Sequence, residues 1–138
     1  KKSLGLLPVV SSMPKDNHSL MQLYLDGPNK YFYTFFNVLE NRNVKIKNDS
    51  VLNTHKFLKN LSIEKIKQSQ MIATEKVFIS KKIPFRSFRI LKRNEQSLGE
   101  LFCFFILETI LLGRALKVNP FDQPSVELIK IETKKILS

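Results

Sequence analysis

The chain has 138 residues, 43% of them hydrophobic, with 23 Lys and Arg against 12 Asp and Glu and a formal net charge of +11. This length and composition fit one domain with a hydrophobic core, and four Gly and six Pro exclude a collagenous or low-complexity chain. A charge of this sign is typical of nucleic-acid-binding proteins, but the cations are mostly lysines scattered among Asn and Ile, which favours a solvated surface and predicts no nucleic-acid partner.

The first half of the sequence alternates between runs that are typical of strands and of helices. Its predicted elements, in chain order, are a strand over 6–10, a helix over 18–25, a strand over 31–39 and a loop over 41–53. Asp16 and Asn17 suit the cap of the helix. The nearly continuous hydrophobicity of 31–39 indicates a strand that is covered on both faces, as in parallel sheets. The alternation of Val44 and Ile46 suggests a short strand extension within the loop.

The second half continues this alternation. Its predicted elements are a helix over 61–78, a strand over 85–91, a helix from 97 to about 116 and a last helix over about 124–137. Asn60 or Ser62 suits the cap of the first of these helices, and a capping box formed by Ser97 and Glu100 suits the start of the second. Pro124 is well placed in the first turn of the last helix.

The apolar run 101–112 invites a membrane interpretation. It is shorter than the roughly 20 residues that a spanning helix needs, and Glu108 interrupts it. We therefore predict a core helix and no membrane partner. Cys103, the single cysteine, lies in this run and is predicted to be a small buried hydrophobe, which favours a reducing, cytoplasmic setting.

The order of these elements predicts the fold class. Strand, helix, strand, helix, strand, helix, helix indicates an α/β layered domain with a largely parallel sheet, which would span residues 1–138 as a single domain. Ligands of such sheets bind at the carboxyl ends of the strands, in the loops that lead into helices. The loops 11–18 and 118–123 meet this description and are the predicted binding loops.

Three polar residues of the last helix are expected to share one face. Gln123, Glu127 and Lys130 are spaced i, i+4 and i+7, which places them within roughly 40° of one another around the helix axis. An amide, a carboxylate and an ammonium behind a Pro-rich loop suit a polyhydroxyl ligand, although a Glu–Lys pair at i, i+3 is also typical of an ordinary solvated helix. The opposite stripe is predicted to pack on the sheet and consists of Val126, Ile129, Thr133 and Ile136.

His18 is a second candidate for chemistry, because it lies at a predicted loop-to-helix junction beside Asp16 and Asn17. Histidine titrates near neutral pH and can carry protons, with a capping or surface role as the alternative. His55 lies in a lysine-flanked stretch and is interpreted as a surface residue. One Cys and two distant His give no metal-ligand spacing, and the sequence contains no Gly-rich phosphate loop, so no metal site is predicted.

Three segments of the sequence have distinctive patterns, and two of them are 119–130 (NPFDQPSVELIK) and 97–109 (SLGELFCFFILET). The first resembles the C-terminal signature of the glucose-6-phosphate isomerase family, and the second resembles a helix of that family. The segment 16–28 (DNHSLMQLYLDGP) resembles a third motif, and the three occur in the family's order. The sequence is therefore identified as similar to the C-terminal half of a bacterial member.

This resemblance implies a sugar isomerase (SIS) domain of the three-layer α/β/α type, with a mainly parallel five-stranded sheet. It also implies an enzyme with two SIS domains that forms a homodimer and interconverts glucose 6-phosphate and fructose 6-phosphate through a cis-enediol, without metal or cofactor. By motif position, Lys130 matches the active-site lysine, His18 matches the histidine of ring opening, and Gln123 matches a residue of the substrate pocket.

The sequence also departs from the family's pattern. Ser125 and Ile129 occupy positions where Gly is common, and both are tolerable within a helix. The family's glutamate base and its phosphate-binding residues would precede Lys1, so we expect the chain to be a piece of a longer protein and to be inactive alone. The alternatives are a non-catalytic sugar-phosphate-binding SIS module and a basic nucleic-acid-binding domain.

Overall fold

The computed structural model describes residues 7–28, 30–39, 44–47 and 51–138. The helices and strands are α1 (Met21–Asp26), β1 (Tyr33–Val38), α2 (Ile63–Ser80), β2 (Phe85–Ile90), α3 (Glu95–Ala115) and α4 (Pro124–Leu137). Two 3-10 turns, Lys15–Asn17 and Asn53–Leu58, precede α1 and α2. The chain divides into a first unit, Lys1–Arg93, and a second unit, Asn94–Ser138.

The sheet of the first unit is parallel, as the sequence predicts. β1 pairs with β2 in a register that runs from Tyr33 beside Phe85 to Val38 beside Ile90, and α2 lies in the crossover between them in the chain. In the described ranges the sheet has two strands. The strand predicted at 6–10 is wrong for residues 7–10, which are exposed and lack regular structure; Leu6 lies outside the described residues. An apolar run becomes a strand only when a neighbouring strand pairs with it.

Phe78 of α2 is the centre of the core in the first unit. Its side chain is 0% exposed, and its ring centroid lies 5.0 Å from that of Tyr33, 5.1 Å from that of Phe35 and 5.9 Å from that of Phe85. The three partners lie on the same sheet face because side chains alternate along each strand and Tyr33 is paired with Phe85. Edge-to-face aromatic contacts therefore attach α2 to the sheet.

Both ends of α2 have identifiable capping interactions. Ser62, one of the two predicted caps, accepts a hydrogen bond at Oγ from the backbone N–H of Lys65 at 3.2 Å. At the other end, Lys82 adopts a left-handed backbone with φ of 56°, and the N–H of Ile83 donates to the carbonyl of Phe78 at 2.9 Å. This Schellman arrangement turns Ile83, 7% exposed, back toward the core.

The helix predicted over 18–25 begins later than expected. The carboxylate of Asp16 accepts a hydrogen bond from the backbone N–H of Ser12 at 2.6 Å instead of capping α1, so a 3-10 turn forms first and α1 begins at Met21. The predicted loop 41–53 contains an isolated antiparallel bridge between Lys45 and Ser62, which corresponds to the expected strand extension. Residues 41–43 and 48–50 of that loop lie outside the described residues.

In the second unit, α3 begins two residues before the predicted Ser97. Asn94 is the N-cap, because its Oδ1 accepts a hydrogen bond from the N–H of Ser97 at 3.0 Å, so the predicted capping box lies inside the helix. Cys103 is exposed, which contradicts its predicted burial, and α3 has no buried residue. A helix that is apolar all round needs packing partners on several sides, and its unit contains one other helix.

α4 has the predicted bounds and begins with Pro124 in its first turn. Its predicted packing stripe is exposed, however: Val126 is 43% exposed, Ile129 68% and Ile136 83%. No helix within the described ranges is long and apolar enough to cross a membrane.

Candidate functional site

His18 follows the 3-10 turn Lys15–Asn17 and is exposed. The turn is held by two hydrogen bonds to Asp16: its carboxylate accepts from the N–H of Ser12, and its own N–H donates to the carbonyl of Ser12 at 3.0 Å. The hydroxyl groups of Ser11 and Tyr24 lie 2.5 Å apart and attach the start of this loop to α1. His18 therefore lies in a short loop whose start is hydrogen-bonded to α1 and whose turn is closed by Asp16.

A pocket of about 290 Å³ lies at the carboxyl end of β1, and we call it the strand-end pocket. Residues of the 13–17 loop, the end of β1 and α2 line it together with Arg93. Its apolar wall comprises Met13, Pro14, Phe35, Phe36, Val38 and Met71, and its polar wall comprises Asn17, Asn37, Lys67, Gln70, Thr74 and Arg93. Among the residues that the structure describes, the polar wall contains two cations and no carboxylate.

Asn17 is an unusual member of this wall. Its Oδ1 is buried and accepts no hydrogen bond from the described part of the chain. Asn17, Gln70 and Thr74 also line a second pocket of about 250 Å³ that is otherwise apolar and reaches Phe78. These three side chains therefore form the partition between the two pockets.

The three predicted residues of the second unit lie between the N-cap and the middle of α4. Lys130 donates a hydrogen bond from Nζ to Oε1 of Glu127 at 2.5 Å, and both side chains are more than half exposed. Gln123 is the N-cap and is not helical, so the helical spacing does not fix the direction of its side chain. Its carbonyl accepts hydrogen bonds from the N–H groups of Val126 at 3.0 Å and Glu127 at 3.3 Å.

Gly113 of α3 fixes the path of the loop that leads into α4. A Cβ at this position would lie 3.0 Å from Cβ of Pro120 and 3.1 Å from the carbonyl oxygen of Val118. The N–H of Val118 donates to the carbonyl of Gly113 at 2.8 Å, and Oδ1 of Asn119 accepts from the N–H of Phe121 at 3.1 Å. The loop thus packs closely on the helix backbone, and a Cβ at Gly113 would require Pro120 or Val118 to move by a few tenths of an ångström.

One ion pair of the first unit changes the titration of a carboxyl group. Asp26, at the end of α1, accepts hydrogen bonds from Nζ of Lys81 and Nε2 of Gln22, each at 2.5 Å. The hydrogen bond and the positive charge of Lys81 lower the pKa of Asp26 below its ordinary 3.8.

The polar wall of the strand-end pocket was not predicted from the sequence. The available signals were Asn17 beside His18, Lys67 and Gln70 at i, i+3 on α2, and Arg93 three residues after the end of β2. Each is common in isolation, and only the parallel pairing of the strands brings them together. Across the described ranges, no group of three or more His, Cys, Asp and Glu is placed to hold a metal ion.

The chain is similar in sequence to enzymes from archaea and bacteria. It is 34% identical over 130 residues to a probable glucose-6-phosphate isomerase of Methanococcus maripaludis, an alignment that covers 92% of this chain and 28% of the relative. It is 30% identical over 141 residues to the glucose-6-phosphate isomerase of Campylobacter jejuni, covering 99% of this chain and 34% of the relative. It is 33% identical over 140 residues to the glucose-6-phosphate isomerase of Mycoplasmopsis pulmonis, covering 99% of this chain and 33% of the relative.

No family model matches the chain. The chain spans about a third of the length of these curated relatives, and the alignments cover nearly all of its own residues. An alignment over 99% of the chain includes the segments 16–28, 97–109 and 119–130 that carry the resemblance. By sequence, this chain corresponds to a part, about a third, of the glucose-6-phosphate isomerases that it matches.

Proposed function

We propose that this chain supplies part of the active site of an enzyme that interconverts glucose 6-phosphate and fructose 6-phosphate. The observation that carries the proposal is the alignment with the Campylobacter jejuni glucose-6-phosphate isomerase over 99% of the chain. In this proposal the fold is a three-layer SIS domain with a five-stranded parallel sheet, in which β1 and β2 are two neighbouring strands.

The chemistry assigns a role to each candidate residue. His18 transfers the proton of ring opening between O1 and the ring oxygen as a general acid/base, and its exposed imidazole is accessible to a sugar. The ammonium of Lys130 stabilises the negative charge that develops on the sugar oxygens, exchanging its contact with Glu127 for the substrate. Gln123 hydrogen-bonds a sugar hydroxyl. The proton moves between C1 and C2 through a cis-enediol, by a glutamate outside these 138 residues.

The proposal also specifies partners. The phosphate of the substrate binds to an N-terminal SIS domain, which corresponds to part of the two thirds of the relatives that this chain does not span. Two copies of the enzyme form a homodimer, as the resemblance implies. The chain alone is therefore expected to show no turnover.

A chimera tests the proposal. In the Campylobacter jejuni relative, the segment that aligns with this chain is replaced by residues 1–138, and conversion of fructose 6-phosphate to glucose 6-phosphate is followed in a coupled assay. We expect clear turnover by the chimera and none by residues 1–138 alone. A chimera that folds as the relative does and yet is inactive would contradict the proposal, as would turnover by the chain alone.

Two lysines of α4 provide a matched pair of variants in this chimera. Lys130 bonds to Glu127 at 2.5 Å and Lys135 bonds to Glu132 at 2.6 Å, both at i, i+3 and both about two-thirds exposed. We expect Lys130→Ala to lower kcat by about a hundred- to a thousandfold, because charge stabilisation in the transition state is lost. Lys135→Ala should leave kcat unchanged, and equal effects of the two variants would refute the assignment of Lys130.

The two histidines provide a second pair. We expect His18→Gln to lower turnover of the cyclic sugar phosphate by about a hundredfold, because the acid/base group of ring opening is removed. His55→Gln serves as the control and should not change the rate. The ring of His55 lies beside Thr54 and Phe57. The assignment of His18 fails if both variants retain full activity.

A further inference from the structure

The exposed His18 lies within a series of hydrogen bonds that continues into α1. The N–H of Ser12 donates to the carboxylate of Asp16 at 2.6 Å, and the N–H of Asp16 donates to the carbonyl of Ser12 at 3.0 Å. The carbonyl of Asp16 accepts from the N–H of Leu20 at 2.8 Å, and the carbonyl of Leu20 accepts from the N–H of Tyr24 at 3.0 Å. The backbone on both sides of His18 is therefore hydrogen-bonded.

The side chain of Tyr24 closes this series into a cycle. Its hydroxyl lies 2.5 Å from that of Ser11, the residue before Ser12, so the end of the series is joined to its beginning. We call the enclosed segment, residues 11–20, the His18 loop. Ser11 and Tyr24 are half-buried, and a hydrogen bond that is shielded from water is stronger than one at the surface. The contact between these two hydroxyl groups therefore fixes the start of the His18 loop against α1.

Tyr24 is itself attached to the core of the first unit. Its ring centroid lies 5.4 Å from that of Tyr33 in an edge-to-face contact, and the hydroxyl of Tyr33 donates to the carbonyl of Tyr24 at 3.3 Å. Tyr33 in turn contacts the fully buried ring of Phe78, with the two centroids 5.0 Å apart. The hydroxyl of Tyr24 thus has a defined position relative to the sheet and to α2.

We propose that Tyr24 is a positioning residue for ring opening, which acts on His18 through Ser11 and the His18 loop. This inference rests on the proposed function, in which His18 moves a proton between O1 and the ring oxygen. Such a transfer needs the imidazole within hydrogen-bond reach of the oxygen, about 2.6–3.2 Å. A displacement of about 1 Å is enough to lose that geometry. Tyr24 gives an exposed histidine the precision that this step requires.

NMR relaxation of the full chain tests whether Tyr24 fixes the loop. Tyr24→Phe removes the hydroxyl and keeps the ring that packs on Tyr33. We expect the backbone order parameters of Asp16 and His18 to fall from about 0.85, typical of rigid backbone, toward 0.6. Tyr31→Phe is the matched control, because the ring of Tyr31 also contacts that of Tyr33, at 6.4 Å, and it should leave these order parameters unchanged.

This measurement distinguishes positioning from stability. Unfolded molecules give separate signals, so a loss of stability alone does not change the order parameters of the folded chain. Order parameters of the His18 loop that are the same in Tyr24→Phe and in the wild type would overturn the proposal.

Turnover by the chimera with the Campylobacter jejuni relative tests the consequence for catalysis. Tyr24→Phe should lower kcat for fructose 6-phosphate about fivefold, the effect of one lost hydrogen bond, and leave KM unchanged. Ser11→Ala should have the same effect, and the double variant should show no further loss, because both changes remove one contact. An unchanged kcat in Tyr24→Phe, or a rise in KM alone, would overturn the positioning role.

A second cycle of variants shows whether Tyr24 acts through His18. In a chimera that already carries His18→Gln, Tyr24→Phe should have no further effect, because no imidazole remains to be positioned. A further fivefold loss would show that Tyr24 acts by another route and would overturn the proposal. If the chimera with unaltered residues 1–138 is inactive, the proposed function fails, and the order parameters still decide whether Tyr24 positions His18.

Discussion

Two glycines of α3 should respond differently to the same substitution. An added Cβ at Gly99 would meet nothing within 4 Å, whereas at Gly113 it would lie 3.0–3.1 Å from the ring of Pro120 and 3.1 Å from the carbonyl oxygen of Val118. In a helix interior, Gly→Ala stabilises by about 1 kcal/mol through helix propensity. Gly99→Ala should therefore raise the free energy of unfolding by about 1 kcal/mol.

At Gly113 the same gain is opposed by a clash. Neither a proline ring nor a backbone carbonyl can rotate away, and overpacking of this kind costs about 1–3 kcal/mol. The expected difference between the two variants is therefore about 1–3 kcal/mol, with Gly113→Ala the less stable. Urea unfolding of the full chain, followed by circular dichroism, measures it. Equal stabilisation by both variants would show that the loop does not pack on α3 at Gly113.

Three further predictions concern stability, measured in the same way. Phe78→Ala should lower the free energy of unfolding by about 3–5 kcal/mol, because a fully buried ring is removed. Phe57→Ala is the control and should have little effect, because the side chain of Phe57 is 72% exposed. Similar losses in the two variants would contradict the assignment of the core. Lys117 has a φ of 55°, in the left-handed region that favours glycine, so Lys117→Gly should stabilise the end of α3 by about 1 kcal/mol. A loss of stability would refute this prediction. The pKa of Asp26 is lowered in the folded state, so Asp26→Asn should destabilise the protein at neutral pH. The difference in the free energy of unfolding between this variant and the wild type should disappear as the pH falls through the lowered pKa. A difference that persists in acid would exclude the Lys81 pair as the cause.

The sequence predicts best the elements whose signals are local. β1, α2, β2 and α4 have bounds within two residues or so of those expected, because continuous hydrophobicity, an N-cap or Pro124 marks them in the sequence. Two residues near the start of α3, Asn94 and Ser97, are suitable N-caps. Asn94 is the one whose side chain accepts the capping hydrogen bond. Nothing in the capping-box pattern distinguishes these two starts.

Errors arise where the outcome depends on partners distant in the sequence. Residues 7–10 have the composition of a strand, but they have no neighbour to pair with in the described sheet. Cys103 lies in an apolar run that is typical of a core helix, but its side chain is exposed. The candidate site follows the same rule. Glu127 and Lys130 form the i, i+3 pair that is also typical of an ordinary solvated helix, so their role in binding stays a prediction, whereas the strand-end pocket depends on elements that only the tertiary fold brings together.

The parallel pairing of β1 with β2 has a consequence for the order in which the first unit folds. Thr34 and Arg86 lie beside each other in the sheet and are 52 positions apart in the chain. A long connection must close before either strand gains a partner, and contacts of large sequence separation slow folding. We therefore expect α2, whose hydrogen bonds are local, to form first and to offer Phe78 as the surface on which the two strands then meet.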